Sequence, residues 1–234
     1  MRAQAIKQSE EKAEVPSVSS VETQALVLRL AGEGRRVLKL SPDLELAHVL
    51  HERQCQVVAV AADLAQCTAL RRHCAAVIRG NLREIHLPQY LHNRRFDVVV
   101  VGPLLARDAP TDPVTFLRKL AIHLAPDGFL IASVPNLAHG SQRLALLDGA
   151  LPTRRGQLRF YTLRELEQTL LDAGLMLDTV ERVVLDPFRD PLTGAQRWDP
   201  ASIPEALQHL IERDPEAAVA EYVVRARPAQ PDEL

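Results

Sequence analysis

No charge of one sign predominates in this sequence. Its 28 Lys and Arg against 30 Asp and Glu leave a formal net charge of -2, which gives no electrostatic basis for a polyanion partner and argues against nucleic acid. Long apolar runs are missing too. Nothing approaches the roughly 20 residues of a membrane span, and the polar start, Met1 to Ser20, lacks the apolar centre of a signal peptide. The expected location is therefore cytoplasmic. Cysteine is scarce: Cys55, Cys67 and Cys74 are odd in number and show neither the CxxC spacing of a redox pair nor the clusters of a zinc site. They read as reduced thiols, and no metal is expected. Cys67 and Cys74 fall on one face of an expected helix, where burial suits them. Internal repeats and low-complexity tracts are absent from the sequence as well.

What is present is a globular balance, 47% hydrophobic and 25% charged, over 234 residues, a length that suits one domain. Residues 1–20 offer few apolar groups and read as a flexible leader, 21–228 as the domain and 229–234 as a tail. A helical pattern from Val21 to Ala31 closes on Gly32 and Gly34. Strands then alternate with helices. Short β-branched apolar runs at Arg36 to Leu40, Gln56 to Ala61, Ala75 to Arg79, Phe96 to Val101 and Gly128 to Val134 predict strands covered on both faces. Helices are predicted over Asp43 to Arg53, Asp63 to His73 and Asp112 to Leu124, the last stopped by Pro126-Asp127-Gly128. Such alternation implies a parallel sheet with helices on both sides. From Pro135 to Gly156 the pattern loosens. A helix from Thr162, its N-cap, to Ala173 then stops at Gly174. Strands are expected at Leu175 to Leu185 and Ala218 to Ala226, separated by a surface loop, Asp186 to Asp199, and an amphipathic helix, Ile203 to Arg213.

Three segments carry a resemblance: Phe96-Asp97-Val98-Val99-Val100-Val101-Gly102, then Leu124-Ala125-Pro126-Asp127-Gly128-Phe129-Leu130-Ile131-Ala132-Ser133-Val134-Pro135-Asn136, and Leu158-Arg159-Phe160-Tyr161-Thr162. The chain resembles the class I S-adenosylmethionine-dependent methyltransferases, especially bacterial members found with glycosyltransferases of cell-surface glycan assembly. The likeness runs from about Arg35 to Pro228 and includes the closing strand Glu221 to Ala226. It implies a Rossmann-like α/β fold, a mostly parallel seven-stranded sheet with helices on both faces. It also implies a ligand beyond the carboxyl ends of the strands.

In that family an acidic residue in the first strand is followed by several glycines, whose backbone N–H groups approach the cofactor's methionine part. The corresponding stretch here is Lys39-Leu40-Ser41-Pro42-Asp43-Leu44-Glu45, without a glycine. Pro42 lacks an N–H, and Asp43 and Glu45 would face the cofactor's carboxylate. One such pair at about 5 Å repels by roughly 3 kcal/mol at an effective dielectric near ~20. Read by itself, Ser41-Pro42-Asp43 is a helix start, with Ser41 as N-cap and Pro42 at the first helical position. The family's ribose-binding carboxylate falls on Ala61, with Asp63 either a shifted substitute or the cap of the next helix. Its adenine-side acid falls on Asn81, which can still hydrogen-bond a base edge. Gly102 completes the set at the exit of the fourth strand.

On the acceptor side the resemblance offers His139 as a base, or else as a locally bonded histidine, and Asn136 as a substrate contact or a turn holder. Arg143, Arg154, Arg155 and Arg159 form either a basic rim for an acceptor phosphate or carboxylate, or solvated arginines. The reading that results is a methyltransferase-fold protein without S-adenosylmethionine-dependent activity and without a bound cofactor. It would be a binding or assembly partner, with another protein or as a homo-oligomer, in cell-surface glycan or envelope biosynthesis. The alternative is an active methyltransferase on a glycan or related small acceptor.

Overall fold

The computed structural model describes residues 18–41, 43–82, 87–106, 112–150, 159–191 and 193–230. Most of the expected leader and the end of the expected tail lie outside them, as do Arg154 and Arg155. Helix α1 spans Val18–Ala31, so the last three residues of the expected leader are already helical. It is followed by β1 (Arg36–Lys39), α2 (Leu44–Glu52), β2 (Gln56–Ala61), α3 (Leu64–Leu70), β3 (Ala76–Arg79) and α4 (Leu87–Leu91). Then come β4 (Phe96–Gly102), α5 (Pro113–Ala121), β5 (Leu124–Pro135), α6 (Gly140–Leu147) and α7 (Leu163–Asp172). The chain closes through β6 (Leu175–Val184), α8 (Glu205–Arg213) and β7 (Val219–Pro228).

The strands form one seven-stranded sheet in the order β3-β2-β1-β4-β5-β7-β6. The first five are parallel, and β7 runs antiparallel between β5 and β6. Alternation along each strand divides the core. Val37, Val57, Val98, Val100, Ile131 and Val223 point to the face covered by α1 and α2, through Val27, Ala31, Leu46 and Leu50. Leu38, Leu40, Val58, Val60, Val99 and Leu130 point to the other face, closed by Leu87 and Leu91 of α4, Leu117 and Leu120 of α5, and Leu166 and Leu170 of α7. Each such side chain, once removed from water, contributes about 1.5–3 kcal/mol, the force that holds the layers together.

Several boundaries differ from expectation for identifiable reasons. The expected cap Ser41 is not the cap of α2: Asp43 is, its Oδ1 accepting from the Leu46 N–H at 3.0 Å. Helix α3 ends at Leu70, so Cys74 lies beyond it, half-buried, whereas Cys67 is buried. Helix α5 ends at Ala121, well before Pro126, because Leu124 already pairs with Phe96 of β4, and the stop residues sit at an irregularity of the β4–β5 register. The stretch from Pro135 onward contains a helix, α6, that its sequence does not signal. A Cβ at Gly140 would come within 2.7 Å of Pro187, so a tertiary contact anchors this helix start. The anticipated Thr162 cap is present as a full capping box with Glu165.

Candidate cofactor and acceptor site

Parallel strands deliver their exits to one edge of the sheet, and the chosen positions Ser41, Asp43, Ala61, Asp63, Asn81 and Gly102 all fall there, after β1, β2, β3 and β4. Asn136, His139 and Arg143 follow β5 at the same edge. The backbone N–H of Arg159 bonds Ala106 O beyond β4 at 3.1 Å, which brings that residue alongside.

The exit of β1 is built around Lys39. Its side chain is completely buried, and Nζ donates to the Ser41 carbonyl at 2.5 Å. Burial pushes the ammonium down to about 8, against the attraction of Asp43 and of Cys74. Lys39 opens the stretch in which the resemblance calls for a first-strand acid, so the local charge is reversed. The missing glycines and carboxylate are legible in the sequence, whereas the place of this lysine is not; an ionisable residue inside an apolar strand is its local sign. Asp43 is fully engaged, with Oδ1 on the Leu46 N–H and Oδ2 accepting from Gln24 Nε2 of α1 at 2.9 Å. Ser41 is buried against the β4 exit, where a Cβ added at Gly102 would stand 3.8 Å from Ser41 Cβ and Oγ.

Ala61 is buried in a small apolar cluster with Ala47, Cys67 and Leu70. Asp63 is the cap of α3, its Oδ1 accepting from Gln66 N–H at 2.8 Å. Asn81 is exposed at the end of β3. S-adenosylmethionine needs free backbone donors for its carboxylate and a carboxylate for its ribose. Here the Leu46 N–H is taken by Asp43, the ribose position is apolar, and a buried cation lies below. These residues do not fit the cofactor.

The acceptor-side residues are equally committed to the protein. The Asn136 side chain is buried, donates to Glu216 O and Val219 O, both at 2.9 Å, and accepts from the Ala138 N–H at 2.8 Å. It ties the β5 exit to the start of β7, the turn-holding alternative. His139 is completely buried with Nδ1 3.0 Å from Ser141 Oγ, so it does not stand in an open loop. Arg143 donates to Ala138 O at 2.5 Å and to Asp214 at 2.6 Å. Burial pushes the Asp214 carboxyl up, but the hydrogen bonds from Arg143 and the Glu216 N–H, together with the Arg143 charge, outweigh it and hold the group below its ordinary value. Arg159 adds to the field that lowers Asp112. Over this edge lies the segment between β6 and β7. Phe188, Ile211 and Ala217 pack with Leu144 of α6, and Trp198 Nε1 donates to Ser141 O at 3.2 Å. Tyr161 has no role legible in the sequence; its hydroxyl is buried without a hydrogen-bond partner among the described residues, and burial raises its pKa.

Among the described residues no group of His, Cys, Asp or Glu could hold a metal, and no helix is long and apolar enough to cross a membrane. No family model matches the chain, and none of the curated proteins does. Solved structures do. The chain is similar to 1,6-didemethyltoxoflavin-N1-methyltransferase of Burkholderia thailandensis, solved with bound 1,6-didemethyltoxoflavin and S-adenosylhomocysteine: TM-score 0.59, 16% identity, 92% of this chain and 80% of that one. It is similar to the CcbJ methyltransferase of Streptomyces caelestis, with TM-score 0.59, 19% identity, and coverage of 94% and 100%. Magnesium protoporphyrin IX methyltransferase of Synechocystis PCC 6803, solved with S-adenosylhomocysteine, gives TM-score 0.56, 13% identity, and coverage of 90% and 82%. At such identities the likeness is one of fold, and the chain has the Rossmann-like α/β fold of the class I methyltransferases.

Proposed function

We propose that this chain is a methyltransferase-fold protein without S-adenosylmethionine-dependent activity, which serves in the cytoplasm as a binding or assembly partner in cell-surface glycan or envelope biosynthesis. The observation that carries the first half is the β1 exit. A buried lysine is bonded to Ser41 O, and a carboxylate caps the helix that would otherwise offer its N–H groups to the cofactor. Each change improves the folded chain locally and removes a contact that the cofactor would use. The second half rests on the likeness of Leu124 to Asn136 and of Leu158 to Thr162 to the glycosyltransferase-associated members. A protein partner has a parallel in one neighbour of this fold, a Haloferax volcanii putative methyltransferase in complex with the Trm112 activator.

Titration calorimetry with S-adenosylmethionine and S-adenosylhomocysteine tests the reading. No heat of binding is expected at millimolar ligand; saturable binding at low micromolar concentration would refute it. The alternative, an active methyltransferase, is supported by the S-adenosylhomocysteine bound in two of the neighbours, and that second outcome would favour it, with methyl transfer to an acceptor as the measurement that establishes it.

A further inference from the structure

The opposite edge of the sheet carries a cleft of about 560 Å³, within the ~300–1,000 Å³ of small-molecule sites. It lies where β1, β2, β3 and β4 begin, since Arg36, Gln56 and Phe96 are the first residues of their strands and Ala76 is the first of β3. These side chains share the face on which α4 is a helix of only five residues, which leaves the strand starts uncovered. Val58 and Phe96, both nearly buried, together with Ala76 make an apolar floor. His92, at φ 49°, turns the chain so that Asn93, Arg94 and Arg95 form one wall.

The charge here is one-sided. Among the described residues the cleft is lined by three arginines and no carboxylate. Arg36 is held by Asp97, with NH2 to Oδ1 at 2.6 Å and its backbone N–H to Oδ2 at 2.9 Å. Arg95 is anchored through the carbonyls of Ile122 and Leu124, which orient the guanidinium without neutralising it. The exposed Arg94 side chain has no hydrogen bond or ion pair among the described residues. Two planar cations therefore remain uncompensated beside an apolar floor, flanked by the donor and acceptor amides of Gln56 and Asn93.

We infer that this cleft binds a nucleoside phosphate. Guanidinium forks match phosphate oxygens in pairs and their planes stack on rings, the apolar floor suits a base face, and amides suit a base edge. The site is remote from the strand exits and does not depend on the reading of the cofactor edge; any S-adenosylmethionine held here through its adenosine would be displaced by AMP, whereas binding at the strand exits would not.

The test is ligand-detected NMR and calorimetry on the full chain with AMP and UMP, beside adenosine and inorganic phosphate. Both nucleotides are expected to bind, weakening with added salt, and adenosine about tenfold more weakly, as loss of a charge-assisted bond requires. Arg94→Ala should weaken AMP at least tenfold with an unchanged melting temperature, and Arg94→Lys should restore part of the affinity. Absence of nucleotide binding at millimolar concentration, or AMP binding indifferent to Arg94→Ala, overturns the proposal. Inorganic phosphate binding as tightly as AMP overturns it as well, since the cleft would then hold an adventitious ion only.

Discussion

The ammonium of Lys39 is bonded to the carbonyl of Ser41, two residues further on, inside a strand end from which water is excluded. Its folded-state value near 8 lies below the ordinary 10.5. The unfolded chain therefore binds more protons across that window, and stability rises with pH between about 8 and 10.5. The gain attributable to Lys39 is about 3 kcal/mol. Urea unfolding at both ends of the window should show it in a Cys74→Ser background, which removes a thiol that burial pushes up. It should be missing when Lys39→Met is added; parallel pH curves for the two chains would sink the account.

At Gly102 the backbone takes φ 58° and ψ -145°, a combination open essentially only to glycine. Among the described residues a Cβ there meets only Ser41, at an ordinary 3.8 Å. Gly102→Ala should therefore destabilise through backbone strain alone, by about 1–3 kcal/mol. Adding Ser41→Ala should give no relief. Thermal melting of the single and double variants decides this, and rescue by the second change would mean that crowding is the cause.

The buried Asn136 side chain makes three hydrogen bonds, two of which join the β5 exit to residues 216 and 219. Asn136→Ala leaves two carbonyls and one N–H without their partner and should cost about 2–4 kcal/mol. Asn136→Asp keeps the acceptor for Ala138 but turns a donor toward two carbonyls into a carboxylate, and should cost at least as much. If Asn136 served a substrate instead, both variants would melt like the parent chain.

The alternating sheet was legible in the sequence because β-branched runs such as Val98 to Val101 and capping residues such as Asp63, Asp112 and Thr162 are local signals. What escaped was set by distant partners. Gly140-Ser141-Gln142 is a poor helix start that becomes one against Pro187 and Ile211. Ser41 had the better cap sequence, yet Gln24 from α1 supports Asp43 in that role. The positions expected at the cofactor edge were found together, as strand order demands, whereas the engagement of His139 and Arg143 by Ser141 and Asp214 depends on side-chain geometry that spacing does not encode. The amino-edge cleft joins Arg36 to Arg94 and Arg95 from a distant part of the chain, which no local pattern encodes.

The proposed loss of cofactor binding can be put to a constructive test. Replacing Ser41, Pro42, Asp43 and Glu45 by glycine and Ala61 by Glu restores the residue types of the family, but the structure shows why that exchange is insufficient. Removing Asp43 frees the Leu46 N–H, yet it also takes away the carboxylate whose attraction offsets part of the Lys39 burial. Lys39, buried and without that partner, still puts an amine where the family has an acid. Glu at 61 must further displace the cluster of Ala47, Cys67 and Leu70. The five-position variant should therefore be less stable, by several kcal/mol once cap loss, glycine entropy and a crowded carboxylate are combined, and should still not bind S-adenosylmethionine. Adding Lys39→Glu restores that acid and should bring binding within reach of calorimetry. Binding by the five-position variant alone would show that Lys39 is not the obstacle. A six-position variant that melts cooperatively yet stays blind would move the obstruction to the turn Pro103–Leu105, where Leu104 and Leu105 are buried in the core just beyond Gly102.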